Sequence, residues 1–278
     1  MGTSTRNKGQ SGHNPLIPTW LDGELITPSS EQTVNQEQPI ITSPLHPIPQ
    51  NADSNRFKGA RGAFSHFVSS RGHNGDSLKR SISSYVRHSI GGSSNALKRL
   101  GSSRISTTHL YNVLNMLFQT DGLQQISRSY SLGTLEGLSA ENFFIRLSEF
   151  ICPDGGTEGE GVSRSAYYDT IVENPEMMEK PIESLRKEEI DLIFQCYMSK
   201  VIMQQIMNGI ANNIIHLPDT LEDVFHLEDI VEQLIDQSVS DACAQVEYDN
   251  AEMTEELARE ITDRIYHKVF EILEEAGS

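Results

Sequence analysis

A helical hydrophobic period runs through this chain from residue 56 onward, and no β-type alternation competes with it. Leu78, Ile82, Val86 and Ile90 recur every four residues, with Asp76 or Ser77 as the expected N-cap and Gly91 as the stop. RFKGARGAFSHFVSS, led by Phe57, Phe64 and Phe67, reads as a short basic helix or turn before it. A short helix is expected over Asn95 to Leu100, ending at Gly101. Leu110, Val113, Leu114 and Leu117 mark another, closed by Asp121-Gly122. Ser139 caps a helix containing Phe143, Phe144, Leu147 and Phe150. A long helix with a broad apolar face, from about Ser184 to His216, suits the centre of a bundle. Asp219 opens an acidic helix, and Thr254 opens a final amphipathic one carrying Leu257, Ile261, Ile265, Val269 and Ile272. The expected class is all-α, a helical bundle.

The first 52 residues differ in kind. They hold seven of the 11 prolines, with Gln, Ser, Thr and Asn between them. So little apolar surface cannot offset the entropy of ordering, and a disordered Pro-rich tail is expected at 1-52. Trp20, the single tryptophan, sits in it within LIPTWLDGELI and reads as a docking residue, for a partner or for the chain's own body. The polar start predicts no secretory signal. Arg6 stands where a myristoylation motif needs Ser or Thr. The longest uncharged apolar-rich window, Val201 to Pro218, carries five side-chain amides, so it reads as a buried helix and not a membrane span.

Charge divides the remainder. The chain has 22 Lys+Arg and 39 Asp+Glu, a net charge of −17. Residues 151–278 carry 8 basic and 29 acidic residues, whereas 53–104 carry 10 basic and 2 acidic. A basic helical segment at 53-130 and an acidic bundle domain at 131-278 are expected. The basic segment has two readings: docking on acidic helices of this or a neighbouring chain, or a site for nucleic acid or an acidic partner. Its candidate contacts are Arg56, Lys58, Arg61, Lys79, Arg80, Arg87, Lys98, Arg99 and Arg104.

Catalytic patterns are absent. The nine histidines form no HxH or HExxH spacing, and Cys152, Cys196 and Cys243 form no CxxC. Sparse, unpaired cysteines fit a reducing cytoplasm. Each lies in or beside an apolar helix and reads as a buried thiol. The loop PDGGTEGEG at 153–161 reads as a solvated acidic hinge, since its acids would repel phosphate and it lacks calcium-loop spacing. No enzyme activity, metal site or cofactor is expected.

Four strings together resemble one family. They are MGTST at the start, PLIPTWL in the tail, RFKGARGAFSHFVSSRG, and SLKRSISSYVRHSIGGSSNALKRLGSSR, followed by an acidic helical region. This resembles the QatB family of the bacterial Qat anti-phage defence operons. The resemblance implies a non-catalytic cytoplasmic component acting beside an ATPase (QatA), a QueC-like enzyme (QatC) and a TatD-like nuclease (QatD). QueC-like enzymes in defence operons are associated with joining a deazaguanine to a protein N-terminus through an amide. Carried onto this chain, the acceptor is the α-amine of Gly2 after loss of Met1. An α-amine titrates near pH 8, so a useful fraction is nucleophilic in the cytosol.

Overall fold

The computed structural model describes residues 55–153, 156–210, 220–246 and 254–277; the tail, with Gly2 and Trp20, lies outside them. The described residues are all-α and belong to one compact unit, Asn51–Ser278. Two long helices organise it. α9 (Lys187–Ile210) packs against α7 (Glu158–Glu173), α10 (Leu221–Gln245), α4 (Ser102–Met116) and α1 (Lys58–Ser69). α11 (Glu255–Glu275) packs against α4, α10, α3 (Ser93–Arg99) and α2 (Gly75–Ser84). α5 (Gly122–Tyr130), α6 (Ala140–Ile151), the single turn α8 (Pro175–Met178) and a 3₁₀ turn (Ile182–Ser184) complete the order. α4 touches both centres, so helices from the basic and acidic stretches share one core. The division at residue 130 is therefore one of charge rather than of packing.

The every-fourth-residue spacing has a structural answer. An α-helix turns in 3.6 residues, so a strict period of four drifts off one face. After α2 the chain widens into a π-helix, Tyr85–Ile90, which carries more residues per turn. Leu78, Ile82, Val86 and Ile90 all stay buried as a result. Gly91 ends the segment in the left-handed conformation at φ 93°, as a C-terminal glycine permits. The cap of α2 is Asn74, whose side chain accepts from Ser77 N at 3.2 Å, and not Asp76 or Ser77. Placing the cap two or three residues earlier puts Asp76 in the first turn, where its negative charge interacts favourably with the positive end of the helix dipole.

Two helices depart from the sequence reading. α5 begins where Asp121-Gly122 was expected to close a helix. α7 begins inside the expected acidic hinge. Thr157 and Glu160 form a reciprocal capping box there, with Glu160 N donating to Thr157 Oγ1 at 3.3 Å and Thr157 N to Glu160 Oε2 at 2.9 Å. Glu158 and Glu160 are thus first-turn residues at a positive helix end. α9 runs Lys187–Ile210; the expected continuation to His216, and Asp219, lie outside the described residues. Thr220 and Thr254 cap α10 and α11 by accepting from Asp223 N and Leu257 N.

Much of the core contact is made by small hydroxyls. Ser77, Ser81, Ser83, Ser103, Ser106, Thr107 and Thr108 are buried along α2 and α4. Their size lets helices approach closely, and local or cross-helix carbonyls satisfy them. Ser81 Oγ donates to Ala60 O at 2.8 Å, and Ser103 Oγ to Gly159 O at 2.9 Å. Thr107 Oγ1 lies 2.7 Å from the buried Tyr266 hydroxyl, which joins α4 to α11.

Candidate functional site

The basic segment is partly consumed by its own fold. Arg104 on α4 makes a two-pronged pair with Asp263 on α11, with Nε 2.8 Å from Oδ1. Arg87 reaches Glu274 near the end of α11 at 3.4 Å, where Ser83 Oγ also donates to the Glu274 carbonyl at 2.5 Å. Ser93 and Ser94 flank His267 Nε2 at 3.4 and 3.2 Å. The guanidinium carbons of Arg56 and Arg61 lie 4.9 and 5.0 Å from the Phe57 ring centroid, a double cation–π stack. Arg99 stands beside the Tyr85 hydroxyl. Lys58, Lys79, Arg80 and Lys98 are exposed and form no ion pair among the described residues. The bundle thus brings Arg87 and Arg104 onto α11 and leaves Lys58, Lys79, Arg80, Lys98 and Arg99 facing solvent.

A second site was not anticipated. A groove of about 740 Å³ opens between the end of α7, the outer face of α9 and α10. Beside it Lys200, 7% exposed, donates to two of its lining carboxylates, Glu173 of α7 and Glu232 Oε1 of α10, the latter at 2.6 Å. Burial pulls the Lys200 amine down, but the two carboxylates outweigh it and hold it above its ordinary value. Asp236, one turn along α10, is raised by partial burial; Ser199 lowers it and Glu232 raises it further. Cys196, Met177 and the half-exposed Leu192 line the walls. One signal was present in the sequence: Lys200 is the lone charge between Leu192 and Ile210.

The thiols are not poised as nucleophiles. Burial pushes Cys152 up to about 11 and Cys243 up to about 12, and raises Cys196 as well. Among the described residues no group of His, Cys, Asp or Glu has metal-ligand geometry, and no helix is long and apolar enough to cross a membrane.

No match to the chain was found among curated proteins or solved structures. One family model matches, and it covers residues 91–273, from the π-helix stop at Gly91 to the buried Leu273 of α11. That span holds α3 to α11, both organising helices and the Lys200 groove. The chain therefore belongs to the family described as Qat anti-phage system associated protein QatB.

Proposed function

We propose that this Qat component is non-catalytic, that its N-terminal glycine is a modification substrate, and that its helical body recruits the other Qat proteins. The modifying partner is the QueC-like QatC, in which ATP activates a deazaguanine carboxylate as its adenylate and the α-amine of Gly2 attacks it, forming the amide and releasing AMP and a proton. The recruited proteins are the ATPase QatA and the nuclease QatD, and the setting is the cytoplasm. The observation that carries this reading is the family membership joined to the MGTST start. Glycine adds no side chain to hinder an activated acyl donor, and Thr3, Ser4 and Thr5 are small and polar. The raised thiols of the body support a scaffold in place of a catalyst.

Co-expression with the operon and intact mass measurement of the N-terminus tests the modification. The expected result is a mass increase confined to Gly2 and lost in Gly2→Pro, which leaves a hindered secondary amine. An unmodified Gly2 in cells with full defence refutes it.

A second reading is favoured by the exposed cations Lys58, Lys79, Arg80, Lys98 and Arg99, which form no ion pair among the described residues. It assigns nucleic-acid binding to residues 53–104, with affinity that falls steeply as salt rises. Salt-insensitive binding, unaffected by charge reversal at Lys79 and Arg80, rejects it.

A further inference from the structure

We infer that the groove between α7, α9 and α10 docks an extended, lysine- or arginine-bearing segment of a partner protein. This deepens the recruitment reading and rests on it.

Shape is the first support. The groove is lined at Leu192 and Ser199 on α9 and at Glu232, Asp236 and Ser240 on α10. At 1.5 Å rise per residue it runs roughly 12 Å along the helices. An extended strand of about four residues fits that length.

Charge is the second. Among the described residues no cation lines the groove, and the neighbouring Lys200 is already paired with Glu173 and Glu232. Glu173 and Glu232 each contact it through Oε1, so their second oxygens remain to accept from a ligand. Asp236 adds a third carboxylate, and the groove is net negative. Phosphates and nucleic acid are repelled. Glu173 and Glu232 converge on Lys200 while Asp236 lies one turn along α10, and among the described residues no group of three His, Cys, Asp or Glu could hold a metal ion, so side-chain cations suit the groove better. Met177 and the exposed Leu192 offer apolar surface to the stems of Lys or Arg. Gln233 and Gln237 line the same groove and can bond a strand's backbone. The raised Asp236 carboxyl is consistent with a group whose ionised form gains from an arriving cation.

The test uses the full chain and a fluorescein-labelled decapeptide of alternating Arg and Ser, followed by anisotropy at about 0.15 M salt. Saturable binding is expected. The Glu232→Gln/Asp236→Asn pair should weaken it about tenfold. Glu256→Gln/Glu260→Gln, which removes the same charge from the exposed face of α11, should leave it within about twofold. No saturable binding overturns the inference. So does equal weakening by both pairs, which reports only the overall negative charge, and so does displacement by spermidine at equal affinity, which marks a small-polyamine site. Co-purification of Qat components with wild type and the groove variant alike overturns the groove while recruitment stands. Peptide binding with no co-purified component supports the groove and overturns recruitment.

Discussion

Replacing Lys200 with methionine keeps an aliphatic stem of similar length and deletes the charge that ties α7, α9 and α10 together. Glu173 and Glu232 then face each other across the groove with no cation between them. Breaking a fully buried pair by removing one partner costs about 3–5 kcal/mol. Here the ammonium is buried but the carboxylates are 44% and 27% exposed, so water screens part of the loss. The expected destabilisation is about 2 kcal/mol. At roughly 2–4 °C per kcal/mol for a unit of this size, the melting temperature should fall by about 4–8 °C. Guanidinium unfolding followed by circular dichroism at neutral pH measures it. The triple change Lys200→Met/Glu173→Gln/Glu232→Gln removes the stranded charges as well and should recover most of the loss. A single variant within about 0.5 kcal/mol of wild type, or a triple variant no better than the single, refutes the account of Lys200 as a desolvated tie.

Two further outcomes follow from local geometry. A Cβ at Gly209 would meet the Tyr85 ring at 2.2–2.4 Å, and a fully buried ring has nowhere to withdraw. Gly209→Ala should therefore cost about 2 kcal/mol in a chemical denaturation despite its better helix propensity, and a neutral or stabilised variant contradicts this. Glu189 accepts from the Arg186 backbone N–H at 2.9 Å, from Lys180 Nζ at 2.6 Å and from the Arg186 guanidinium. These partners lower its carboxyl from 4.5 to about 2. A depressed acid stabilises fully above its unfolded value, so this contribution is present above pH 4.5 and lost as pH falls toward 2. Wild type should lose stability relative to Glu189→Gln across that window, and parallel pH–stability curves for the two would be the contrary result.

Several elements were legible because their evidence is local. Thr254 before Leu257, Ile261 and Ile265 announces α11, and Ser139 before Phe143 and Phe144 announces α6. α7 was not legible, because its buried residues, Val162, Ser163, Ala166, Tyr167, Thr170 and Ile171, share one face but mix small polar with apolar types, which blurs the stripe. The same mixing hid the burial of Ser77, Ser81 and Ser83, which in a basic helix look like surface residues. Arg87 and Arg104 could be named as cations, but which acids they meet depends on α11, more than 150 residues away.

The sequence by itself determined the helical class, the charge asymmetry, the starts of α6 and α11 and the family, because period, caps and composition act within a few turns. Tertiary structure alone decided where the charges go. It laid the C-terminal part of the basic segment on α11, ran α5 and α7 through stretches that read as a stop and a hinge, and drew Lys200 between carboxylates from two other helices. Electrostatic energy falls with separation and with hydration. A charge acquires its meaning only when the fold sets its neighbours and removes its water.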